Sequence, residues 1–76
     1  MQWSEYIEQK NGILNGKPVI MGTRIGVDFI LEKIGNGETI QELLTAYPHH
    51  LSRAAILACI SYGASSVRNE ILLDVA

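Results

Sequence analysis

Cysteine occurs once in this 76-residue chain, at Cys59, so no intramolecular disulfide can form, and nothing in the sequence calls for an oxidising compartment. Long apolar runs are missing as well: the longest stretch, Ala54 to Ile60, falls far below the roughly 20 residues that a helix needs to cross a bilayer. There is no basic excess. Six Lys and Arg against eight Asp and Glu give a net charge of −2, which provides no general attraction for nucleic acid or anionic lipid. The start, Met1-Gln2-Trp3-Ser4-Glu5, lacks the basic residues and apolar run of a signal peptide, and a cytoplasmic location with no membrane contact is expected.

What is present is a single small globular domain over residues 1–76, 47% hydrophobic and 18% charged, which excludes disordered, collagen-like and multidomain classes. A chain this short buries only about 60% of the surface that its unfolded form exposes. With no disulfide to compensate, and with an apolar tail at 69–76, self-association into a homodimer is expected.

Two β-branched runs, Val19-Ile20-Met21 and Arg24-Ile25-Gly26-Val27, flank Gly22-Thr23 and predict a β-hairpin over 16–27, with Gly22 at the first central position of a type II′ turn. Val27, Ile30, Leu31 and Ile34 then share one face of a helix over 27–35, which Gly35 or Gly37 ends. Thr39 and Glu42 form a T-x-x-E capping box that opens a second helix over 40–47, stopped by Pro48. Ser52 is the N-cap of a third helix over 53–68, with Leu51 and Ile56 spaced as a hydrophobic staple. The expected fold is mostly α, a short N-terminal hairpin followed by a three-helix, helix-turn-helix or homeodomain-like bundle.

The second helix, the turn Tyr47-Pro48-His49-His50 and the third helix resemble a DNA-binding helix pair, although many compact helical domains share that layout without touching DNA. On the DNA reading, Arg53, Ser52 and His50 lie nearest the bases, and Arg24 or Lys33 serves phosphates. Catalytic chemistry finds no support. Gly12–Pro18 fails the phosphate-loop spacing, and the adjacent His49 and His50 project differently, with no further ligand at metal spacing. Cys59 sits between Ile56 and Ile60 as a small hydrophobe rather than a nucleophile. A non-enzymatic protein without cofactor or metal is expected.

Trp3, the run ILNGKPVIMGTRIGVDFILEKI, the helix T-I-Q-E-L-L-x-x-Y-P and the following Leu-Ser-x-x-x-Ile together resemble the domain-of-unknown-function family 433, from Trp3 to about Glu70. Its most specific part is G-K-P-V-I-x-G-T-R-I, at Gly16 to Ile25, with Tyr47-Pro48-His49 as a second anchor. The resemblance implies a homeodomain-like fold, often dimeric, and the role of antitoxin in a type II toxin–antitoxin module whose partner is a PIN-like ribonuclease toxin. Autorepression of operator DNA accompanies that role. Arg68 and the run Ile71-Leu72-Leu73 are the candidate toxin-binding residues, because a guanidinium can pair with the carboxylates that such ribonucleases gather around a metal. Two alternatives stay open: a stand-alone helix-turn-helix regulator, and an adaptor that binds only protein.

Overall fold

The computed structural model describes residues 2–75, with side chains through 68. It is mostly α, and a short antiparallel pair of strands precedes three helices. Strand β1 is Ile7–Glu8 and β2 is Val19–Ile20; the helices are α1 (Val27–Gly35), α2 (Ile40–Ala46) and α3 (Arg53–Val75).

The strands that pair are not the expected ones. β2 lies against β1, with Ile7 opposite Ile20 and Glu8 opposite Val19. The segment from Arg24 retains only a single bridge, Val19 to Gly26, in which the Ile20 amide donates to the Ile25 carbonyl at 2.9 Å. The reason is length. Gly26 is already the N-cap of α1, so the chain after the turn has no room to extend as a strand, while β1 pairs along the opposite edge of β2, where the Met21 amide donates to the Tyr6 carbonyl at 2.8 Å. The turn type changes accordingly. The Thr23 amide donates to the Ile20 carbonyl at 3.0 Å, making Gly22 the third residue of a four-residue turn; its φ of +79° is what a type II turn requires there.

The helix boundaries follow local chemistry. Gly37 takes a φ of +97° and donates to the Ile34 carbonyl at 3.0 Å, while Glu38 donates to the Lys33 carbonyl at 3.1 Å; together these form a Schellman ending for α1. At α2, the Glu42 amide donates to Thr39 Oγ1 (3.0 Å) and the Thr39 amide to Glu42 Oε1 (2.9 Å), completing the capping box. At α3, the Ala55 amide donates to Ser52 Oγ at 3.1 Å. α3 then runs on to Val75, past the end expected near residue 68, and the apolar tail continues it as helix.

The core lies where both strands and the first half of α3 meet α1 and α2. Ile30, Leu43 and Ile56 are fully buried at its centre, each burial contributing about 1.5–3 kcal/mol before ordering costs. Leu51 and Ile56, the predicted staple pair, are both buried in this cluster. Val27 and Ile30 are buried from α1, with Leu31 and Ile34 packed at the margin. No helix among the described residues is long and apolar enough to cross a membrane.

Candidate functional site

The sequence G-T-R-I acts as a device for presenting Arg24. Thr23 Oγ1 donates to the Ile20 carbonyl (2.8 Å) and accepts from the Ile25 amide (3.0 Å), so one hydroxyl closes both sides of the turn. Glu8 holds the turn from β1 by accepting from the Gly22 amide at 2.9 Å. With the backbone clamped in this way, Ile25 turns partly inward and Arg24 is exposed.

Arg24 and His50, twenty-six positions apart in the sequence, line one groove of about 420 Å³ together with Gly22, Thr23, Ile25 and Tyr47. A second groove, of about 330 Å³, shares Arg24, Ile25 and Tyr47 and continues over Leu14 and Phe29. Phe29 and Tyr47 meet edge to face at 6.0 Å between ring centroids, tying α1 to the end of α2 at this point. Sequence reasoning missed these apolar walls. In the sequence Tyr47 stands only in the turn before Pro48, and nothing local relates it to Ile25. Leu14 was also missed: Leu14, Asn15 and Gly16 form a left-handed turn with φ of 46°, 57° and 80°, which leaves Leu14 at the groove's edge. Such a conformation is uncommon for leucine and is not signalled by periodicity.

Arg53 is exposed at the first position of α3, three residues after His50. Among the described residues, neither Arg24 nor Arg53 makes a salt bridge. Ser52 is engaged as the α3 N-cap, so its hydroxyl is already a hydrogen-bond acceptor for the helix. Lys33 lines neither groove; its Nζ lies 3.5 Å from Glu38 and 5.4 Å over the ring of Phe29, a wall of the second groove. The fold therefore brings Arg24 and His50 together in one groove, with Arg53 three residues after His50 and Lys33 engaged with Glu38.

Arg68 is exposed on α3, roughly 22 Å along the helix from Arg53 at 1.5 Å per residue. The side chains of Ile71, Leu72 and Leu73 lie outside the described residues. Cys59 is fully buried, and desolvation pushes its thiol up to about 11, which leaves it a neutral hydrophobe. Among the described residues, no three His, Cys, Asp or Glu side chains gather as a metal cluster would need.

Residues 7–63 match the family described as "Protein of unknown function (DUF433)". The chain is also similar to the crystal structure of a DUF433 member protein from Anabaena variabilis ATCC 29413, with 27% identity and a TM-score of 0.75. That match covers 83% of this chain and 61% of the Anabaena protein, so the chain spans about three fifths of the other's length. No curated protein matches the chain.

Proposed function

The chain belongs to the DUF433 family, and we propose that it is the antitoxin-like component of a type II toxin–antitoxin module: a non-enzymatic cytoplasmic homodimer that neutralises a PIN-like ribonuclease toxin and represses its own operator. The observation that carries this reading is the position of Arg68. It is exposed on α3 well beyond Cys59, the last buried core residue among those described, on a helix that continues to Val75.

A guanidinium so presented suits a pocket of carboxylates, because its planar fork can donate two parallel hydrogen bonds where a lysine offers only a point charge. The sequence Ile71-Leu72-Leu73 supplies the apolar part of the same element. Co-expression with the product of the neighbouring gene tests the reading: the two proteins are expected to co-purify, and growth arrest caused by the neighbour alone is expected to be relieved.

A second reading, a DNA-binding regulator without a toxin, is favoured by one separate observation. Arg24 and His50 share a groove, with exposed Arg53 next to them in the chain, and this is the local clustering of basic residues that a chain of net charge −2 would need.

A further inference from the structure

We propose that the Asn11-Gly12 peptide is a modification site, at which the folded chain deamidates spontaneously to aspartate and isoaspartate, and that the fold directs this chemistry to Asn11. The inference is independent of the functional reading.

Three of the four asparagines are followed by glycine: Asn11-Gly12, Asn15-Gly16 and Asn36-Gly37. In such a pair the next backbone nitrogen reaches the side-chain carbonyl carbon most readily, because glycine has no Cβ to obstruct the approach. All three asparagines are exposed, so access to water does not tell them apart. Hydrogen bonding of the attacking nitrogen does. The Gly16 amide donates to the Ile13 carbonyl at 3.0 Å, and the Gly37 amide to the Ile34 carbonyl at 3.0 Å. Each must give up that bond before its nitrogen can lose the proton and turn toward the asparagine. The Gly12 amide donates to no acceptor among the described residues.

The turn explains the difference. The Ile13 amide donates to the Lys10 carbonyl at 3.2 Å, which makes Asn11 and Gly12 the two central residues of a turn. Gly12 has a φ of +83°, as the third position of a type II turn requires. The single hydrogen bond of such a turn joins its first and fourth residues, and the amide between the central two is left to water.

The chemistry balances with water alone. The Gly12 nitrogen gives its proton to solvent base and bonds to Asn11 Cγ, while the bond from Cγ to the side-chain nitrogen breaks and ammonia leaves with a proton from solvent. Water then adds to one carbonyl of the five-membered imide and breaks its bond to nitrogen. Opening at the side-chain carbonyl gives aspartate. Opening at the backbone carbonyl gives isoaspartate, with the main chain routed through the side-chain carbon. Nothing is oxidised or reduced. Either product adds one carboxylate to a chain of net charge −2, next to Lys10, whose Nζ lies 3.5 Å from Glu8.

Peptide mapping by mass spectrometry, with fragmentation to separate Asn11 from Asn15, tests this on the full chain aged at mildly alkaline pH, both folded and in denaturant. In the folded chain Asn11 is expected to convert at least about fivefold faster than Asn15 or Asn36, the factor that one backbone hydrogen bond is worth. In denaturant the three rates are expected to converge. Conversion of Asn15 or Asn36 as fast as Asn11 in the folded chain overturns the proposal, as does an Asn11 that stays intact in the folded chain after it has converted in denaturant. An order of rates that persists unchanged in denaturant overturns the role of the fold.

Discussion

Trp3 meets Tyr62 edge to face, with ring centroids 4.8 Å apart and planes at 83°. This contact fastens the short 3₁₀ turn at Trp3–Glu5 onto the middle of α3, so the N-terminus braces the helix just past its buried half. Such pairs contribute about 0.5–1.5 kcal/mol beyond the area they bury. Tyr62→Leu, which keeps an apolar side chain but removes the ring, is expected to destabilise the fold by roughly that amount and to alter Trp3 emission in the native state. A denaturant melt followed by fluorescence measures both.

Thr39 and Glu42 cap α2 reciprocally, and Thr39→Ala is expected to cost about 1 kcal/mol in the same melt. The Glu42 carboxyl is also held below the usual glutamate range, chiefly by the hydrogen bond it accepts from the Thr39 backbone amide and to a smaller degree by the Thr39 hydroxyl. Because the folded value is the lower one, this contribution is present above the unfolded pKa and is lost as pH falls through the folded one. Glu42→Gln is expected to flatten the acid limb of the stability profile, which chemical denaturation at a series of pH values reads directly.

Burial raises the Cys59 thiol from 9.0 to about 11, so between those values the unfolded chain ionises while the folded one does not. The unfolded state then binds fewer protons, and stability falls as pH rises, by up to roughly 1.4 kcal/mol per pH unit. Cys59→Ala is expected to remove that part of the alkaline loss. In the wild type a thiol reagent at mildly alkaline pH is expected to leave Cys59 unmodified until denaturant is added.

If operator DNA is bound, Arg53 and Arg24 are its expected contacts. Arg53→Glu is then expected to abolish retention in a mobility-shift assay while the circular dichroism spectrum stays unchanged. Retention at the wild-type level would remove Arg53 from the contact. Each phosphate contact steepens the salt dependence, so Arg24→Ala is expected to make it shallower.

The sequence was most legible where a structural element depends on near neighbours. Thr39 and Glu42, Ser52 before Arg53, and the Val27 to Ile34 stripe each set a helix start or face through bonds and contacts three or four residues apart. Pairing of β1 with β2 was not legible, because two-residue strands carry no periodicity and Ile7 and Ile20 are far apart in the sequence. The groove at Arg24 and His50 is non-local for the same reason. Its basic members were identifiable from their residue type, whereas its apolar walls, Ile25 and Tyr47, come together only when α2 folds against the turn. The far end of α3 was placed too early because Ile71-Leu72-Leu73 are three consecutive apolar residues, which show no 3.6-residue period between Asn69-Glu70 and Asp74.

The central claim is that α3 beyond Ser66 neutralises a toxin, and truncation after Ser66 tests it most directly. The shortened chain keeps every buried core residue among those described, so it is expected to fold. The measurement is growth rescue and co-purification with the neighbouring gene's product, made alongside the full chain. The account predicts a folded domain that no longer rescues or co-purifies. A truncated chain that rescues growth as well as the full chain would contradict it.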